Sequence, residues 1–523
     1  MTAGDADPSL APVARGGTAS TAAAPATTPP RTDRRRYVLA AAMMSMFMAA
    51  IEATIVATAM PAIVAALGDL ELYSWVFAAY LLCQAVSTPI YGRLADLYGR
   101  KRILFYGASL FLAGSALCGF ATSMPMLIAF RAAQGLGAGA IVPIASTIIG
   151  DIYTAEERAR MQAYVSSVWG FSAIIGPALG AFIVSHLSWS LIFWINLPIG
   201  AAALCMVGWF LRETIQPRAH SIDYVGALLL VAGAGTLMLA LIRAARFGLA
   251  TTIALGTVGA ILLVALLAWE RRAAEPMVPL DLWRNPLIVI GNVGGFAIGI
   301  VMMGTVAFLP AYVQAVMGYG PSMTGLLLTV MSLGWSIFSS LAGRVMIRTS
   351  YRLTALGGAC ALLLGNAVLL ALDPVAGPVW AASPIWAGVG AFLVGVGMGS
   401  LNSTYVVSIQ GSVTQAVRGA ATASTIFMRN IGNAVGAALF GAVLNLAIVR
   451  AVPEGAVAIN RLLEPGMRDA LPTAEIARLA APVASATVTI YAIAVAVAAI
   501  VVLIVRRMPV GLSPRSRQPA PAR

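Results

Sequence analysis

The chain has 523 residues, 60% of them hydrophobic and only 10% charged, against roughly 45–50% and about 25% in an ordinary soluble domain. That balance excludes a water-soluble fold. The 33 basic and 20 acidic side chains leave a formal charge of +13, which keeps nucleic acid in view as a partner until the positions of the cations are read.

Residues 1–36 are rich in Ala, Pro, Thr and Gly and close on Arg34, Arg35 and Arg36, a composition that predicts a disordered tail. Fourteen apolar runs follow, each of about 20 residues and so long enough to cross a hydrocarbon core of ~30 Å as a helix. They fall at 38–61, 73–91, 103–121, 126–149, 162–184, 191–211, 224–242, 252–269, 288–310, 324–342, 353–372, 384–407, 420–447 and 484–505. With the N-terminus inside, the cytoplasmic segments carry 25 Lys and Arg and the outer loops 6, so the positive-inside rule places both termini in the cytoplasm. Arg243 and Arg246 run against the bias; only Arg131 and Arg429 lie within spans. Topology thus accounts for the basic charge, and nucleic acid drops out as a partner. The spans divide as a six-helix bundle (37–211), an extra pair with its linkers (212–287) and a second six-helix bundle (288–505), with a long outer loop at 450–480 and a basic tail at 506–523. Cys83, Cys118, Cys205 and Cys360 sit in apolar runs and His186 and His220 stand far apart. This predicts no disulfide framework, no metal site and no cofactor.

Glu52 is the one carboxylate well inside a span. At 1.5 Å per residue it lies about 21 Å from the inner boundary, and Arg131 about 7.5 Å from the outer one, so in a core of ~30 Å the two share a depth and can meet. A guanidinium in hydrocarbon costs roughly 2.5–3.5 kcal/mol on insertion scales, and an acid in reach offsets it. Low dielectric favours the neutral acid and a nearby Arg favours the carboxylate, so changing water access lets such a pair hold and release a proton; a static salt bridge is the plainer alternative. Gln134 shares a helix face with Arg131, and Gly135 and Gly139 leave a small-residue surface beside them. In the fifth span, Gly176-Pro177 interrupts a helix among small residues, removing one backbone hydrogen bond. Between spans two and three runs Gly92-Arg93-Leu94-Ala95-Asp96-Leu97-Tyr98-Gly99-Arg100-Lys101-Arg102, echoed weakly by Gly343 to Arg348 after the tenth span. Repeated halves point to a transporter with its site at their interface. Arg429, about 14 Å into the thirteenth span, either lines a cavity or serves packing. Trp169, Phe171, Trp194 and Tyr312 are open to the same two readings.

The loop from Gly92 to Arg102 resembles the signature of the major facilitator superfamily, which implies an all-α integral membrane protein built from two six-helix bundles, here with two additional helices. On that resemblance Asp96 faces Arg418 and Gly419 at the start of the thirteenth span, where the helix dipole favours it, and Arg100 pairs with Asp151, together forming a latch with Gly92 and Gly99. The segment around Arg131 resembles the family's fourth-helix motif, associated with proton transfer. Gly176 and Pro177 resemble the motif of its exporters, with Ser172 and Ala181 where glycines are usual. Ile51 to Pro61 resembles the first-helix motif of fourteen-span drug:proton antiporters, which has Asp at the position of Glu52 and Asn at that of Ala57. The resemblance implies a proton-coupled efflux antiporter, not an enzyme, in a bacterial inner (plasma) membrane. It would export lipophilic or cationic small molecules by alternating access, substrate and proton competing at Glu52, as a monomer in the lipid bilayer. A dedicated exporter of a siderophore, antibiotic or lipid is the alternative. A membrane enzyme or scaffold would need convergent catalytic side chains, which the scattered carboxylates and the two His do not supply.

Overall fold

The computed structural model describes residues 32–153, 155–211, 223–242, 244–273, 276, 280–372, 383–413, 418–451, 459, 462 and 468–509. Some side chains within these ranges are outside the description, among them those of Arg93, Asp96, Asp151 and residues 155–163, 244–247 and 418–420. Among the described residues, fourteen helices are long and apolar enough to cross a membrane and no strand occurs. Without water in the hydrocarbon every backbone N–H and C=O must be satisfied within its own segment, and helices do that.

In chain order the spans are α1 (Thr32–Leu67), α2 (Tyr73–Tyr98), α3 (Arg100–Gly119), α4 (Met124–Ile152), α5 (Ala155–His186) and α6 (Leu191–Phe210). The extra pair is α7 (Tyr224–Ile242) and α8 (Ala250–Glu270). The remainder are α9 (Pro286–Ala315), α10 (Pro321–Arg348), α11 (Tyr351–Leu370), α12 (Pro384–Ser412), α13 (Arg418–Ala451) and α14 (Thr473–Arg506). Several helices outrun the apolar core. α1 begins at Thr32, so residues 32–36 of the expected tail are helical. α14 begins at Thr473, within the expected outer loop, where Pro472 stands at the N-cap and Glu475 in the first turn suits the helix dipole. Such extensions carry polar residues and leave no hydropathy signal.

Two irregularities matter for the site. α6 opens with a single turn, Leu191–Trp194, and resumes at Asn196, Pro198 lacking the N–H that would continue the ladder. α9 passes through a π turn at Gly304–Phe308. The first six helices and the last six share one continuous core that runs through Ile55, Val76, Phe308 and Phe440. α7 and α8 form a hairpin laid against α2 and α13, where Ala227, Leu230, Ala234 and Met238 are buried. Asp223 anchors this hairpin: its Oδ1 accepts from the Gly226 N–H at 2.7 Å and from the Trp269 indole at 2.8 Å.

Candidate functional site

Five of the first six helices converge on Glu52. Its side chain is completely buried, as are those of Gln134, Asn196 and Ser115, and Arg131 is 2% exposed. Arg131 Nη1 forms a salt bridge with Glu52 Oε1 and donates to Gln134 Oε1 at 2.7 Å, while Nε donates to the Val76 carbonyl at 3.4 Å. The guanidinium lies over the Tyr80 ring, 4.0 Å from its centroid, a cation–π contact strengthened by desolvation. The second oxygen of Glu52 accepts from Asn196 Nδ2 at 2.5 Å. Asn196 also donates to Ser115 Oγ at 3.0 Å, and Ser115 in turn donates to the Phe193 carbonyl at 2.8 Å. Both carboxylate oxygens and the cation are therefore held by named groups, the condition under which a buried pair is tolerated. Three buried polar atoms of this cluster, Gln134 Nε2, Asn196 Oδ1 and Tyr80 Oη, have no hydrogen-bond partner.

Of the expected site residues, Glu52, Arg131 and Gln134 come together. Asn196 and Ser115 complete the cluster although they carry no charge to single them out; the available signal was an Asn inside an apolar span. Close packing brings the helices to this distance. A Cβ at Gly135 would collide with the backbone of Tyr80, so α4 approaches α2 only with glycine there. On α5, a Cβ at Gly176 would strike Thr54 Oγ1, two residues beyond Glu52, and the Pro177 carbonyl abuts Gly325 of α10. Gly176 and Pro177 thus join the helix bearing Glu52 to the second half of the molecule, and Thr329 of α10 donates to the Ile174 carbonyl at 3.4 Å.

The two halves close on each other at the ends of α1 and α13 and the start of α2. Tyr73 Oη donates to the Ala307 carbonyl inside the π turn. The Tyr73 ring lies 5.6 Å from Phe308, which sits edge-on to Phe440 at 6.0 Å. Asn445 donates to the Glu71 carbonyl at 2.8 Å, and Gly441 lies directly against Ser74. The stripe of α13 that makes this contact, through Ala434, Ala437 and Gly441, is buried, but its continuation toward the start of the helix is not: Ile426 is 38% exposed, Ala423 is exposed and Asn430 half-buried. One helix face packed at one end and bare at the other marks a cleft between the halves, open on the side of the α2–α3 loop. Arg429 flanks that bare stripe, half-buried, its Nη1 donating to Asn402 Oδ1 of α12 at 2.8 Å. Nearby, Asn292 of α9 is bonded to Ser424 and Thr425.

In the α2–α3 loop Gly99 has φ of 92°, a conformation that glycine adopts without strain, and Lys101 Nζ donates to the carbonyls of Gly208 and Leu211 at 2.7 and 2.8 Å, capping α6. Gly92 is in open space. Arg100 is half-buried. The expected partners, Asp96 with Arg418 and Gly419, and Asp151 with Arg100, involve side chains outside the described set. Of the aromatic residues singled out, Tyr312 is buried and donates to the Leu372 carbonyl, Trp194 packs edge-on against Phe120 at 4.6 Å, and Trp169 and Phe171 are exposed.

A family model described as Major Facilitator Superfamily matches residues 42–437. The chain belongs to the Major Facilitator Superfamily. Among curated members it is 36% identical over 404 residues to Multidrug resistance protein 3 of Bacillus subtilis (strain 168), covering 77% of this chain and 78% of that one. It is 33% identical over 409 residues to Multidrug transporter protein MdtP of the same organism, covering 77% and 74%. A solved bacterial homolog of the human lysosomal transporter Spinster, in an inward-facing and occupied conformation, shares the superfamily fold with a TM-score of 0.63 at 16% identity, covering 95% of this chain and 100% of that one. The protein is a transporter and not an enzyme.

Proposed function

We propose that the protein is a proton-coupled exporter of lipophilic small molecules, working by alternating access with Glu52 as the proton carrier. The export direction is supported by the multidrug relatives and by the Gly176-Pro177 contact. Proton coupling is supported above all by one observation: the sole acid deep within a span is paired to Arg131 and Asn196, on a helix that packs against Gly176 of α5, whose neighbour Pro177 meets α10 of the other half. Protonating Glu52 removes the charge that holds Arg131. The freed guanidinium then needs another acceptor, and Asn196 Oδ1 and Tyr80 Oη are within the same cluster. A rearrangement of α1 against α4 and α6 follows, and α5, which meets α1 at Gly176 and α10 at Pro177, carries it to α10. Because Glu52 is enclosed and both its oxygens are engaged, substrate acts on it through helix position rather than by direct contact in this state.

In this reading both termini are cytoplasmic, the molecule sits in a bacterial plasma membrane as a monomer, and the open cleft faces inward. The six-helix bundles are the bodies that rock, and Gly92, Asp96, Gly99, Arg100 and Asp151 latch the outward-facing state. The test is uptake of a fluorescent lipophilic compound into inverted membrane vesicles. Wild-type protein accumulates it when the lumen is acidified. Glu52→Gln, present at equal level, does not, and Glu52→Asp retains part of the rate. Gradient-driven uptake by the Gln variant at the wild-type rate would refute the assignment.

A further inference from the structure

The charges along the inter-half cleft do not balance. α2, α5, α10, α12 and α13 bear acids only at their ends or none at all, as at Asp96 of α2 and Glu156 and Glu157 of α5. The one internal acid, Glu52, is committed to Arg131 and Asn196 inside the first bundle. Arg429 therefore stands at membrane depth beside the open stripe of α13 with no carboxylate facing it among the described residues, its hydrogen-bond partner being the neutral Asn402. A guanidinium carries five donors in a planar fork, and most are left for something else. Charged side chains persist in spans when they meet a pathway or a ligand, and the fork matches carboxylate or phosphate in a bidentate geometry. The exposed members of the stripe, Ala423 and Ile426, are apolar, while Asn430 beside Arg429 is polar and half-buried.

We infer that Arg429, oriented by Asn402, receives an anionic group of an amphipathic ligand, a carboxylate or phosphate on a lipophilic body. The exporter reading supplies the movement of this ligand, but the binding does not depend on proton coupling. Binding of 11-(dansylamino)undecanoic acid and of its methyl ester is measured by fluorescence on the full chain in phosphatidylcholine vesicles. Wild-type protein prefers the acid over the ester by about tenfold or more. Arg429→Gln removes the preference while still binding the ester, Arg429→Lys keeps part of it, and Asn402→Ala reduces it. Equal affinity for acid and ester in the wild type, or an unchanged preference in Arg429→Gln, overturns the proposal. Glu52→Gln retains the preference, so failure of proton coupling and failure of anion binding are read separately. Adding phosphatidylglycerol identifies the source of the anion: competition in the wild type but not in Arg429→Gln points to a lipid headgroup, and no competition to an exported small molecule.

Discussion

Arg131 and Glu52 neutralise each other away from water, so removing either partner leaves a buried charge without its counter-ion. For Arg131→Ala we expect a loss of about 3–5 kcal/mol, the range for breaking a buried pair, read as a lower thermal midpoint of the purified protein in detergent. The double variant Glu52→Gln/Arg131→Gln recovers most of that loss, because two neutral amides can bond each other, yet it does not transport. A midpoint that falls further in the double variant than in the single one contradicts the pairing. The charged members of this site were legible in the sequence because each stands alone in an apolar run, and depth arithmetic brought them to one level. Asn196 and Ser115 were not, since polar uncharged residues occur in many spans and only the rotation of each helix, set by packing, decides which of them face the acid. The break in α6 that places Asn196 depends on Pro198, a residue the hydropathy pattern passes over.

The fourteen helices themselves were readable from length and hydropathy. Their polar extensions and the π turn of α9 were not, because neither changes the apolar count. That turn is the element on which the closed end depends: the Ala307 carbonyl accepts from Tyr73 there, and Phe308 fits between Tyr73 and Phe440. Tyr73→Phe keeps the ring and removes the bond. We expect it to favour opening at this end, seen as several-fold faster modification of a cysteine placed at Thr329 by a membrane-impermeant thiol reagent. No change in that rate would show that the hydrogen bond does not hold the gate. Gly176→Val is predicted to stop transport without loss of folded protein, since its side chain would occupy the space of Thr54; α5 would be wedged away from α1 by a clash rather than deprived of chemistry. Wild-type transport by this variant would separate α5 from the coupling path.

At the scale of the whole molecule, the arrangement makes one acid answerable to two bodies. Under the proposed mechanism, closure at one end, a bare stripe of α13 at the other and the α1–α5–α10 contact make a rocking unit whose state depends on whether Glu52 is charged. The basic residues concentrate on the side where the cleft is open, and a reporter fused to either terminus is expected to remain protected from reagents added outside intact cells. What most directly examines the link between cargo and proton is substrate-induced proton release. A pH indicator is followed in weakly buffered detergent solution as a transported compound is added to purified protein. The account predicts acidification with wild-type protein that is absent in Glu52→Gln, although the variant still binds the compound. Equal release from both would contradict it.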